Sequence, residues 1–439
     1  MKRTSTIILS LLMVMMVLVG CGKDSAKEET TATEERIVTT ACRSSYINEE
    51  WYNKMNAAFE AETGIKVIAE PTPGNDDDHD AKVNINLIAG GDIDVIQSQG
   101  GKFYFERVEA GFFAPLSDLI AAKGIDLEAK YGANLAKDEN GEFYAIPVKQ
   151  EIFCVFYNKD LFDRAGVPYP EGPWTWDEFA DIAAKVADPE NGIYGAFLKA
   201  TGPLPLVLAQ QENYPLYKAD GSCNFDAPRW QETLEWYKTL GDEGIIMNME
   251  DIRNENTSWN YWALAGDHVA MFPNGNWFTR LLNSQADYPR DWKYGVTQIP
   301  TTGNENGNNN LVSMAYASVN VNAAHPEEAL EYALWLGENQ WKYEGGIPAL
   351  ATLSEEQQKE IFSGIADASE GQVTVDQLYN SWVNTGMGVA YSDLIGPASG
   401  EYHSIINEEL SSYCLDLQDI DTTIDNITSR VNEALKNIQ

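Results

Sequence analysis

The sequence predicts an α/β protein built from two domains, and three observations carry that reading. Short β-rich runs alternate along the chain with runs whose apolar residues recur every three or four positions. Beyond residue 36 about 400 residues remain, more than a single hydrophobic core usually organises. Hydrophobic content is 44%, ordinary for a soluble chain. After the N-terminus no apolar stretch is long enough to cross a bilayer.

The N-terminus has its own logic. Lys2 and Arg3 precede an apolar run from Ile7 to Val19. A membrane-spanning helix needs roughly 20 such residues, so this shorter run has the layout of a signal-peptide core. It ends in Leu18-Val19-Gly20-Cys21, the pattern a lipoprotein signal peptidase cuts. The expectation is a signal peptide over 1–20, with Cys21 carrying lipid and holding the protein on the outer, extracellular face of the cell membrane. Two acyl chains anchor stably where one does not. An ordinary secretory signal with a chance cysteine is the competing reading. Against it, residues 22–36 contain no aromatic or large aliphatic side chain and cannot form a core, so 21–36 reads as a flexible tether.

The ordered elements follow in turn. Ile37–Cys42 is β-rich. Asn48 is placed to cap a helix whose stripe is Trp51, Met55 and Phe59, and Gly64 is placed to end it. Ile65–Glu70 is the next strand, with a parallel crossover as the default. Asn75–Asp80 (NDDDHD) lacks the glycine and terminal glutamate of an EF-hand loop. It reads as acids just ahead of a helix, favouring its positive end. Ile93–Gln97 is a buried strand. Gly141–Phe162 is a turn and a long β-rich run. Thr175 and Glu178 form a capping box for a helix burying Trp176, Phe179, Ile182 and Val186, and 192–227 reads as loop and short pieces. Trp230–Leu240 is helical, His268–Phe272 and Tyr294–Pro300 are strands, and Thr301–Asn310 is a polar loop before another strand, MAYASVNVN. Pro326 opens a helix, and a last helix near 422–438 shows Ile424, Ile427, Val431, Leu435 and Ile438 on one face. No internal repeat is visible.

Composition excludes some functions. With 67 acidic against 30 basic residues the net charge is −37, and the basic footprint of nucleic-acid binding is missing. Cys42, Cys154, Cys223 and Cys414 contain no C-x-x-C; they allow three disulfide pairings, and isolated buried thiols serve equally in a chain of this size. No G-x-S-x-G, H-E-x-x-H, P-loop or G-x-G-x-x-G occurs, and His79, His268, His325 and His403 offer no metal-ligand spacing. Neither a metal nor a cofactor is expected. A chance pair of carboxylates placed for glycoside hydrolysis is not excluded by sequence. The positive signal is aromatic: 12 Trp and 21 Tyr, of which Trp259, Tyr261, Trp262, Trp277, Trp382 and Tyr402 stand among Asn, Gly and Ser. Aromatic plates beside carboxylates and amides suit a sugar, which has apolar C–H faces and hydroxyl rims.

Several segments together resemble one family. AFEAETGIKV, LIAGGDIDVI, GFFAPLSDLI, GEFYAIPV, YNKDLFDRAGVPYPEGPWTWDEF, LAGDHVAMFPNGNW, YGVTQIPTT and VNAAHPEEALEYALWL stand in the order seen in extracellular solute-binding proteins of ABC importers. That family includes the maltose- and oligosaccharide-binding proteins. The resemblance covers nearly all of the chain beyond the tether. It implies an α/β, two-lobed periplasmic-binding-protein-like fold with a hinge and an interlobe ligand cleft, closing by a hinge motion. The first lobe would hold 37–148 plus 273–325 and the second 149–272 plus 326–439. It implies a monomer that is not an enzyme, with a sugar ligand and ABC permease subunits as partners, touching membrane only through its anchor. The resemblance carries ligand contacts onto Trp277 and its neighbour Asn276, Glu151, Arg43 and Ser44 after the first strand, Gln99, and more loosely Tyr402 and Trp382. Trp176 is assigned to packing. The sequence CRSSY after the first strand and the region 195–217 depart from the oligosaccharide binders, which leaves the ligand's identity open. An exported carbohydrate hydrolase and a receptor presenting ligand to a membrane sensor are the alternatives.

Overall fold

The computed structural model describes residues 35–72, 76–138, 140–255, 266–351 and 353–437. The signal segment, Cys21, most of the tether, and Trp259, Tyr261 and Trp262 lie outside the described residues.

The chain opens with β1 (Ile37–Arg43), α1 (Glu50–Thr63) and β2 (Lys66–Thr72), and β1 and β2 pair in parallel from Ile37↔Lys66 to Arg43↔Thr72. Asn48 is not the cap of α1. It ends a short 3-10 turn, and Glu49 takes the N-cap position without a side-chain capping bond. The buried stripe is accordingly Tyr52, Met55 and Phe59, with Trp51 only half-buried. Gly64 ends α1 at φ 72°, a conformation that glycine adopts without steric cost.

The acidic run does not stand ahead of a helix but forms the start of α2 (Asp76–Ile88). Asp80 is buried there and pairs at 2.7 Å with Arg107, whose guanidinium also donates to Asn84 and Ser98. Among the described residues no group of three or more His, Cys, Asp and Glu gathers as a metal site. β3 (Val95–Gln99), α3 (Gly101–Glu109), α4 (Ser117–Ala122) and α5 (Leu127–Tyr131) follow.

β4 (Ile146–Asn158) is the long β-rich run. It stops before Phe162, because the Asn158 side chain accepts from the amides of Asp160 and Leu161 and so starts α6 (Lys159–Ala165). Next is α7 (Trp176–Val186), where Thr175 and Glu178 form the expected capping box. Trp176 is packed in the interior and donates to Gln211 at 2.8 Å. Thr175→Ala is expected to cost about 1 kcal/mol, measured as a lowered urea midpoint with an unchanged slope.

The remaining elements are β5 (Tyr194–Ala196), α8 (Val207–Gln211), α9 (Pro228–Asp242), α10 (Met249–Asn254), β6 (Val269–Gly275), α11 (Phe278–Asn283) and β7 (Tyr294–Gln298). They are followed by β8 (Asn309–Val319), α12 (Pro326–Glu344), β9 (Ile347–Pro348) and α13 (Glu355–Ala368). α14 (Val375–Trp382), β10 (Gly388–Tyr391), α15 (Ser399–Cys414) and α16 (Ile420–Asn437) complete the described chain. The polar loop is shorter than its sequence suggests, since Asn309 and Asn310 already belong to β8. Pro326 opens α12 as expected, and α16 buries Ile424, Ile427, Val431 and Leu435.

Two sheets share β4. Its first half, Ile146 to Ile152, pairs with β8 in a sheet ordered β2-β1-β3-β8-β4. Its second half pairs with β6 from Phe153 to Tyr157 and with β7 from Cys154 to Asn158, and β5 lies beyond β6. α12 packs against α1: the Tyr332 and Trp335 rings stand 4.8 and 5.5 Å from Phe59. Cys42, Cys154, Cys223 and Cys414 are all free thiols, the first three buried.

Candidate functional site

Where β4 passes from one sheet to the other, a cleft of about 1170 Å³ opens. β4 supplies Lys149 and Glu151, the turn from β6 into α11 supplies Asn276 and Trp277, α11 supplies Arg280, and the end of α12 supplies Trp341, Tyr343 and Glu344. Each arrives for a local reason. The register of β4 shifts between Pro147 and Lys149, and such irregularities re-aim side chains. Gly345, at φ 77°, terminates α12 and leaves Glu344 at the cleft.

Lys149 is the electrostatic centre. Its ammonium lies 2.9 Å from Glu151 and 2.7 Å from Glu344, and its side chain is 5% exposed. Burial works against its charge, but Glu151 and Glu344 outweigh burial and hold its pKa above the ordinary lysine value. Glu344 is the mirror case. Burial opposes its charge, yet Lys149 and Arg280 prevail, so its carboxyl sits below the usual range. Glu344 also accepts from Gln340 at 3.1 Å. Arg280 donates to Glu49 at 3.1 Å, and Glu49 accepts from the Trp51 indole.

Asn276 fixes the turn. Its amide oxygen accepts from the Ile152 N–H at 2.9 Å and its own N–H donates to the Ile152 carbonyl at 2.9 Å. Three residues of β4 beyond Lys149 and one beyond Glu151, this doubly bonded contact ties the turn to the strand. Trp277 follows, half-buried, with its ring 5.7 Å from Phe278 in an edge-on arrangement. A Cβ on Gly275 would come within 2.4 Å of the indole nitrogen, so glycine lets the indole lie close over the backbone.

Of the residues singled out by sequence, Glu151, Asn276 and Trp277 are brought together here. Arg43, Ser44 and Gln99 do not line this cleft. The Arg43 guanidinium stands 5.8 Å from the Tyr46 ring, and Ser44 is half-buried in the turn after β1. Gln99 closes the β3–β8 ladder opposite Ala315. Beside it the half-buried Asp393 carboxylate accepts from the Gly101 N–H at 2.8 Å and from Ser313, and desolvation raises its pKa. Tyr402 and Trp382 are in the interior. The Tyr402 hydroxyl donates to the Leu216 carbonyl at 3.1 Å, and Trp382 packs edge-on to Phe362 at 5.3 Å.

Sequence reasoning passed over Lys149, Arg280, Glu344, Trp341 and Tyr343. One signal was present: a lysine and a glutamate inside the apolar run IPVKQEIFCVF need partners if buried.

The sequence profile described as bacterial extracellular solute-binding protein matches residues 44–343. A putative binding protein of Brucella abortus is 24% identical over 263 residues, 57% of this chain and 59% of that one, so the chain spans less than two thirds of that relative. The melibiose/raffinose/stachyose-binding protein of Bacillus subtilis is 27% identical over 253 residues, covering 57% of this chain and 56% of its own. An ABC substrate-binding protein of Listeria monocytogenes, solved in complex with cycloalternan, superposes with a TM-score of 0.76 at 19% identity, covering 92% of this chain and all of that one. At that identity the likeness concerns the fold: a two-lobed α/β architecture.

Proposed function

The chain belongs to the bacterial extracellular solute-binding protein family, and from that premise we propose that it captures a sugar or oligosaccharide in the cleft beside β4 and delivers it to an ABC import permease. The observation that carries this reading is the cleft itself, where the Trp277 indole stands beside Asn276 and the Lys149–Glu151–Glu344 cluster. An aromatic plate suits the C–H face of a sugar ring, and carboxylates and amides suit its hydroxyls. The sugar-binding names among relatives and solved neighbours support the same reading.

The ligand-binding set is proposed as Trp277, Asn276 and Glu151, with Arg280 and Glu344 added from geometry. Arg43, Ser44 and Gln99 are proposed to join from the ends of β1 and β3 when the lobes close. The lobe boundaries expected from sequence are amended in the same proposal. α12 goes with the first lobe because it packs on α1, and β6 and β7 go with the second because both pair with the far half of β4. Hydrolysis is the weaker reading. It needs a carboxylic acid that donates a proton, whereas Glu344 is held ionised by Lys149 and Arg280.

A thermal-shift screen with mono- and oligosaccharides tests the proposal. A ligand at 100 times its Kd stabilises the folded state by about 2.7 kcal/mol, and a screen in which no sugar raises the midpoint counts against it. Sugar turnover in a reducing-end assay would favour the hydrolase instead.

Attachment by lipid on Cys21, to the outer membrane face, is part of the same proposal, as is action as a monomer. Cys21→Ala is expected to release the protein into the medium with sugar affinity unchanged. Fractionation of cells carrying the variant measures this, and continued retention would mean the anchor lies elsewhere.

A further inference from the structure

Resting on the sugar-binding reading, we propose that the cleft takes a glycoside bearing an apolar group, an aryl or alkyl aglycone, and that Gly364 on α13 makes room for that group. The walls of the cleft differ in chemistry. β4 and the turn into α11 present charged and amide groups beside Trp277. The segment before α13 presents Leu350 and Leu353, and α13 presents Gln357 and Glu360 in its first half and then an aliphatic half with Ile361 and Ile365, these four aliphatic residues all half-buried. Sugar hydroxyls pressed on that aliphatic half, beyond Gln357 and Glu360, would lose water and gain no partner, which is unfavourable. An apolar substituent there removes hydrocarbon surface from water and is favoured.

Gly364 gives the second observation. Ile361, Gly364, Ile365 and Ala368 all line the cleft, at the spacing of one helix face. Glycine in the middle of a helix is a poor helix former next to alanine. Nothing in the protein demands it here: a Cβ at this position meets no atom within 4 Å. The space it leaves is therefore open to the cleft and flanked by isoleucines. At about 1170 Å³ the cleft also exceeds the roughly 300–1,000 Å³ typical of small-molecule pockets, so a sugar ring leaves volume to fill.

The test is calorimetry of the full-length protein with matched methyl and phenyl glycosides of glucose, galactose and mannose, both anomers of each. For a sugar that binds, the phenyl glycoside is expected to bind at least about tenfold tighter than the methyl glycoside. G364L places a good helix former at an exposed helix position, so the variant folds. It is expected to bring the ratio of phenyl to methyl glycoside affinity down to within about twofold of one. Equal affinity of methyl and phenyl glycosides, or an advantage that survives G364L, overturns the proposal and leaves sugar binding standing. Failure of every one of these glycosides to bind also overturns the proposal, while sugar binding itself stands or falls by the wider thermal screen.

Discussion

Lys149→Ala is expected to destabilise the protein by about 3–5 kcal/mol, the cost of breaking a buried ion pair from one side. The Lys149 and Glu344 side chains are 5% and 7% exposed. Removing the ammonium leaves Glu344 and Glu151 near each other, with the Arg280 charge to offset them in part. Chemical denaturation measures the loss, which should appear as a lower midpoint. Lys149→Met combined with Glu344→Met should recover much of it, because replacing both partners of a buried pair by apolar groups is often close to neutral. If the single and double variants are equally unstable, packing rather than charge accounts for the effect. The pair also sets a pH dependence. Glu344 is depressed in the folded protein, so its contribution is complete above the unfolded glutamate value, about 4.3, and is lost as pH falls through the folded pKa. Lys149→Ala should flatten that acid limb.

Trp277→Ala is expected to weaken sugar binding tenfold or more with little loss of stability. An aromatic contact contributes roughly 0.5–1.5 kcal/mol beyond the area it buries, and 1.4 kcal/mol is a factor of ten in affinity. Trp277 is half-buried and makes no side-chain capping bond to α11, so its removal leaves α11 and β6 intact. Asn276 still ties the turn to Ile152. Calorimetry with a sugar found by the thermal screen decides; unchanged affinity would take Trp277 out of the site.

What was legible in the sequence was what neighbours in the chain decide. The capping box at Thr175, the terminating Gly64 and the opening Pro326 each need only a few adjacent residues, and each is where the pattern placed it. The start of α1 shows the limit. The cap falls on Glu49 rather than Asn48, and Tyr52, three residues before Met55, is buried in place of Trp51, four before it; both spacings suit one helix face, so the pattern alone does not choose between them. The cleft was legible only in part. Glu151 and the Asn276–Trp277 turn sit in recognisable segments. Lys149, Arg280 and Glu344 are brought together by the β4 crossover and the end of α12, and no spacing links 149, 280 and 344. Tyr402 and Trp382 show the converse. Polar and glycine-rich surroundings made them resemble binding aromatics, yet both fill the interior.

The strand common to both sheets has a consequence for how the gene tolerates change. Side chains alternate faces along a strand, so a one-residue slip turns every later side chain to the opposite face. β4 is therefore a shared reading frame. Insertion of one codon between Ile152 and Phe153 would leave each half internally regular while putting the two sheets out of phase. Asn276, bonded to both polar groups of the Ile152 backbone, pins that phase from outside the strand. Length variation is accordingly expected to collect in segments such as 301–308, and fusions or reporter insertions belong there rather than near the crossover.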